Sequence, residues 1–170
     1  ACCLVGSEMC IRDRLKLNNI SAIGIDTKTE KFNTCNENGA EFSVSPMEND
    51  LKNKIADFSK SNDLDVVIDF VSSKSSLELG CSILGKGGRL VTLGGSGEQF
   101  LANSADMLVK ELELIGSRYC TKQELKESLD LYARGLIEPL VSVKTDFDGA
   151  EGLHDKIEKG EITGRAGILI

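Results

Sequence analysis

An α/β domain wound on both sides of a parallel sheet is the fold this sequence predicts, and three observations predict it. Short apolar segments alternate with helix-like segments along most of the 170 residues. One of them, LDVVIDFV (64–71), is almost continuously apolar, as a strand covered by helices on both faces requires. The helical segments open on Ser/Thr-x-x-Glu caps and close on glycine, which is the punctuation of βαβ units.

Taken in order, LKLNN (15–19) reads as the tail of a helix, and ISAIGID (20–26) as a strand ending in an acid. TKTE (27–30) is a capping box, and its helix stops at Gly39. FSVS (42–45) is a short strand; SPME (45–48) then joins an N-cap serine, a first-turn proline and a third-position glutamate, opening a helix to about Lys60. After the 64–71 strand, Ser75 to Leu84 form a helix closed by GKGG (85–88), followed by the strand RLVTL (89–93) and the loop GGSG (94–97). A helix near 104–111 leads into the strand ELELIGS (111–117), and TKQE (121–124) caps a helix ending at Gly135. The chain closes with VSVKTDF (141–147), a short helix from Ala150 to Lys159, and GRAGILI (164–170). It shows no internal repeat, low-complexity tract or obvious linker.

The totals narrow the function. A chain of 170 residues fits one domain with a real core, and 41% apolar with 28% charged residues is ordinary globular composition. The net charge of −7 disfavours nucleic acid and anionic membrane as partners. No apolar run is long enough to span a bilayer, and the segment before Ile20 lacks the layout of a secretion signal. A cytoplasmic setting is therefore expected. Of six cysteines, Cys35, Cys81 and Cys120 stand far apart and read as buried small apolar residues; no Cys-x-x-Cys exists and His154 is the one histidine, a surface residue, so zinc ligands are not expected here.

Candidate motifs sort quickly. GCSILGK (80–86) fits Gly-x4-Gly-Lys, but Gly87 follows where a Ser or Thr must hold magnesium, and the loop leads from helix to strand. GSGEQF (95–100) has Phe100 where a dinucleotide fingerprint needs glycine. Asp26 ends a strand, where a carboxylate either accepts bonds from ribose hydroxyls, favouring NAD over NADP, or simply shapes the turn. Lys31 is a second ribose-side candidate or a solvated charge. Val71, Ser72, Leu93, Gly94 and Gly95 terminate two successive strands, where ligands bind in open parallel sheets, although the glycines serve equally as tight-turn residues.

Residues 4–14, LVGSEMCIRDR, match at every position the translation of a common transposase-type sequencing-library adapter. Residues 1–14 are accordingly set aside from the functional reading as an artefactual, adapter-like segment, with natural sequence expected from near Leu15.

From there the chain resembles the C-terminal half of the zinc-type medium-chain alcohol dehydrogenases. IGIDTKTEK, GAEFSVSP, LDVVIDFVSS, LGKGGRLVTLGG, ELELIGS and EITGRAGILI carry the resemblance by their order and spacing. It implies a Rossmann NAD-binding domain over 15–135 and, over 136–170, the closing segment of a GroES-like catalytic domain. It also implies that Asp26 and Lys31 face the adenosine ribose, that Val71, Ser72, Leu93, Gly94 and Gly95 border the coenzyme, and that Arg165 reaches its pyrophosphate. Arg118 and Tyr119 depart from the small loop that relatives carry beside the nicotinamide. The family transfers hydride between NAD(P) and an alcohol or carbonyl substrate, with zinc polarising the oxygen. The zinc ligands and the glycine-fingerprint strand have no counterpart in this sequence, so the chain alone is expected to be inactive. Relatives are dimers or tetramers, which would place a homo-oligomer seam on the edge strand near 113–118.

The resemblance also sets the sheet order 3-2-1-4-5-6, with the fingerprint strand between the 20–26 and 64–71 strands. Because Gly6 precedes Asp26 by a fingerprint-like interval, residues 2–6 are expected to occupy that place or leave it empty. GILI (167–170) should lack its usual strand partners. Two other readings fit the same segments: an NAD-sensing module without catalysis, and a methyltransferase-like α/β domain.

Overall fold

The computed structural model describes residues 2–3, 9–59 and 64–170. Its elements are β1 (Cys2–Cys3), α1 (Met9–Leu17), β2 (Ile23–Ile25), a 3-10 turn (Thr29–Lys31), α2 (Phe32–Glu37), β3 (Ser43–Val44), α3 (Leu51–Ser59) and β4 (Leu64–Asp69). Then come α4 (Lys74–Ile83), β5 (Leu84–Thr92), α5 (Ser104–Lys110), β6 (Glu113–Gly116), α6 (Lys122–Ala133), β7 (Val141–Thr145), α7 (Ala150–Glu158) and β8 (Arg165–Ile168).

Six strands form one sheet in the order β3-β2-β1-β4-β5-β6, all parallel. This is the expected order, and the place between β2 and β4 is filled. Cys2 and Cys3 pair with Ile23 and Gly24 on one side, and Cys3 pairs with Ile68 on the other. Gly6, whose spacing to Asp26 suggested this arrangement, lies outside the described residues. β7 and β8 pair with each other in a separate two-stranded parallel sheet, so the GILI segment has one strand partner and Ile168, Leu169 and Ile170 stay exposed.

The core sits between the sheet and its helices. Ile23, Ile25, Val44, Leu51, Ile55, Leu64, Val67, Leu77, Ile83, Leu84 and Leu90 form one buried cluster, flanked by an edge-to-face contact of Phe42 with Phe58 (centroids 5.7 Å apart). Helix ends follow the glycine rule: Gly39 and Gly135 close α2 and α6 with φ of +102° and +68°. The Thr121–Glu124 capping box forms as the sequence implies, and hydrogen bonds from Thr121 hold the Glu124 carboxyl below the usual range. That cap is intact above the usual carboxylate range and weakens as pH falls through the lowered value.

Two other caps do not form. Thr27 opens no helix: the Lys28 N–H is taken by Asp26 Oδ1 (2.8 Å), a 3-10 turn without a side-chain cap follows, and α2 starts at Phe32. SPME folds as turns, not as a first helical turn. Ser45 Oγ takes the Met47 N–H, the Glu48 N–H reaches Ser45 O, and the Glu48 carboxylate bonds Lys54 instead of the cap, so α3 begins at Leu51. GKGG joins α4 to the regular part of β5 as an irregularity within the strand: Leu64 faces Leu84, yet Val66 faces Arg89, and Gly87 has φ +72°. The cysteines also separate. Cys35 is buried and Cys81 half-buried, its thiol pushed up by burial, but Cys120 is exposed, against the expectation for all three.

One helix is at odds with its own packing. Arg12 of α1 is 1% exposed, and its Nε and Nη1 have no hydrogen-bond partner. A buried guanidinium with unmet donors costs several kcal/mol, and an apolar side chain of similar volume removes that cost. Arg12→Met is therefore expected to stabilise the chain by roughly 1–4 kcal/mol, read as a rise of several degrees in Tm. An unchanged or lower Tm would show that Arg12 is hydrated or paired in solution.

Candidate functional site

The strand ends that the sequence singles out converge on one side of the sheet. β2 delivers Ile25, Asp26 and Thr27, while β4 delivers Asp69 and Val71. With Pro46, Met47, Val67 and the length of α4 from its Ser73 cap to Ile83, they line a cleft of about 380 Å³. The cleft lies beyond strand carboxyl ends, next to the point where the sheet order reverses, which is where ligands bind in this architecture.

Asp26 sits at the rim, half-buried, with Oδ1 accepting the Lys28 amide. That bond fixes the carboxylate at the end of β2. Lys28 also ties the turn to the C-terminal segment, because its Nζ donates to Gly160 O (3.2 Å) just past α7.

The β4 end is held by a compact set of polar contacts. Asp69 is 1% exposed; its Oδ1 accepts N–H bonds from Val71 and Ser72, each 2.9 Å. Those bonds keep Ser72 at φ +55°, a left-handed conformation uncommon for a residue with a side chain. Ser72 Oγ meets Thr92 Oγ1, and Ser96 Oγ donates to Ser72 O, so the β4 and β5 ends are locked together. Ser73 starts α4 with a capping box, its Oγ accepting the Ser76 N–H.

Of the eight sequence-derived candidates, Asp26 and Val71 line the cleft. Ser72 is buried behind it, and Gly94 abuts the backbone of Val71 and Phe70. Leu93 and Gly95 are exposed on the same strand end, and the Leu93 N–H donates to Asp69 O. Lys31 in the 3-10 turn and Arg165 in β8 are not among the cleft-lining residues. Arg165 is exposed and its N–H donates to Leu140 O (2.7 Å). The residue that sequence reasoning missed is Asp69. Asp69 is one of two carboxylates, with Asp65, in the run LDVVIDFV (64–71), and the sequence pattern does not separate the buried one from the exposed one.

The described residues do not fit a metal ion. No group of three or more His, Cys, Asp or Glu comes together among them, and His154 is exposed on α7.

A doubly wound parallel sheet in 3-2-1-4-5-6 order, with an acid-rimmed cleft over its strand ends, defines a nucleotide-binding class of α/β fold. Within that class the chain belongs to the zinc-binding dehydrogenase family, whose model matches residues 10–134. An alcohol dehydrogenase of Geobacillus stearothermophilus is 25% identical over 91% of this chain and 45% of its own length. An NAD-dependent alcohol dehydrogenase of Sulfolobus acidocaldarius is 27% identical over 84% of this chain and 41% of its own. The crystal structure of the Aeropyrum pernix alcohol dehydrogenase superposes with a TM-score of 0.86 at 26% identity, covering 97% of this chain and 48% of that one. The chain thus spans under half the length of these relatives. Membership sets aside the methyltransferase-like reading.

Proposed function

We propose that this chain is the coenzyme-binding half of an NAD-dependent alcohol dehydrogenase or carbonyl reductase. The observation that carries the reading is the placement of Asp26 at the rim of the cleft, oriented by the Lys28 amide. A fixed carboxylate there accepts hydrogen bonds from a vicinal diol and repels a phosphate on the same ribose, which favours NAD over NADP. The zinc ligands that the resemblance implies have no counterpart in this sequence, and the chain alone is expected not to catalyse hydride transfer. Lys31, Ser72, Leu93, Gly94, Gly95 and Arg165 remain coenzyme-side candidates on the resemblance. A small alcohol or carbonyl is the substrate class of the whole enzyme. A homo-oligomer seam belongs on β6, the edge strand, where Leu114 and Ile115 are 40% and 37% exposed.

Fluorescence titration tests the reading. The chain is expected to bind NADH and to prefer it to NADPH by about tenfold or more, the worth of one charge-assisted hydrogen bond. Asp26→Ser should weaken NADH binding by a similar factor and narrow the preference. Absence of NADH binding, or equal affinity for the two coenzymes, would refute it.

A further inference from the structure

The turn that carries Asp26 is tied to a distant helix, and one residue makes the tie at both ends. The Lys28 N–H holds Asp26 Oδ1 (2.8 Å), while Lys28 Nζ donates to Gly160 O (3.2 Å), 132 residues further along the chain. Gly160 lies just past α7, where the chain leaves the helix at φ +67°. There the Gly160 N–H reaches Ile157 O and the Glu161 N–H reaches Lys156 O, each 3.0 Å. An ammonium beside the carboxyl end of a helix is favoured by the helix dipole. The fit is close, because a Cβ added at Gly160 would meet Lys28 Nζ at 2.9 Å. The far end of the tie is itself anchored, since α7 buries Leu153. A single side chain thereby joins the β2 turn to the C-terminal segment.

Resting on the coenzyme reading above, we propose that Lys28 is a positioning residue that works as a latch. With Nζ on Gly160 O, the 26–28 turn is held with the Asp26 carboxylate at the cleft rim, and coenzyme binding and the closed latch favour one another. With the latch open, the turn samples other conformations, and apparent affinity falls with the fraction in which Asp26 is in place. The coupling is reciprocal: whatever factor the closed latch adds to NADH affinity, bound NADH adds to latch closure.

Hydrogen exchange of the full chain with and without NADH, alongside fluorescence titration, tests the latch. In wild type, NADH is expected to slow exchange at the Gly160 and Glu161 amides about two- to fivefold, the worth of one ammonium at a helix end. Lys28→Met keeps the amide on Asp26 and an unbranched apolar stem but loses the donor. It should weaken NADH binding by a similar factor and abolish the response of the α7 end. Lys28→Arg keeps a donor and should restore both. NADH binding to wild type without slower exchange at the α7 end overturns the latch and leaves the coenzyme reading standing. A Met variant that binds NADH as wild type does overturns it too. So does a Met variant that binds more weakly yet keeps the exchange response, the mark of a lysine acting on the coenzyme through its charge alone. If wild type binds no NADH, the coenzyme reading falls and the latch with it.

Discussion

A chain carrying Cys3→Pro is expected to lose its single cooperative unfolding transition. β1 is only two residues long, yet it stands between β2 and β4 and makes parallel pairs on both sides. Proline there removes a donor and sets its ring against the neighbouring strands, which sheets tolerate only at edges and bulges. A stranded backbone carbonyl alone costs about 1–3 kcal/mol, against a total stability of about 5–15 kcal/mol. Separation of the β3-β2 pair from the β4-β5-β6 set adds to that. Thermal melts followed by circular dichroism should show a broad, early transition, while Cys3→Val, a residue suited to strands, should melt as the parent does. Identical melts for the proline variant and the parent would mean that residues 2–3 do not hold the two halves of the sheet together.

Gly94→Ala is the second substitution with a large expected effect. A Cβ at Gly94 would lie 2.6 Å from both C and O of Val71 and 2.8 Å from Phe70 O. These are backbone atoms of the β4 end, so no side chain can swing away. The β4 and β5 ends must part, loosening the Ser72–Thr92 and Ser96–Ser72 contacts that hold them. Overpacking of this kind costs about 1–3 kcal/mol, or roughly 2–4 °C in Tm for each kcal/mol in a chain of this size. Because Val71 lines the cleft, NADH affinity should fall about tenfold in parallel, as expected when a positioned contact is displaced. Gly95→Ala is the control: nothing lies within 4 Å of its added Cβ, so its Tm should not move. Equal melting of both variants would show that the strand ends are free to separate.

These two experiments divide along a line that runs through the whole molecule. The adjacent glycines at 94 and 95 are indistinguishable as letters, and both served as candidates for a tight turn or a coenzyme approach. Only the position of β4 shows that one is pressed against backbone and the other is open. The capping boxes divide in the same way. Thr-x-x-Glu at 121–124 forms its box, whereas the same pattern at 27–30 leads into a 3-10 turn with no side-chain cap. The first strand is the sharpest case, because CC carries no alternation or β-branched run. It joins the sheet through backbone pairing, which asks only that a chain be extended and placed between two strands with unpaired edges.

The sequence by itself determined the alternation of strands and helices, many of their boundaries, the parallel character of the sheet, and the acid at the end of β2. Those follow from apolar periodicity and local capping, which act over a few residues and can be read in order. The tertiary structure alone decided what fills the centre of the sheet, which glycine is indispensable, and that Arg12 and Asp69 are buried with polar atoms unmet. Burial and unpaired hydrogen-bonding groups are created by segments far apart in the chain, and no local pattern records which neighbours will close over a side chain.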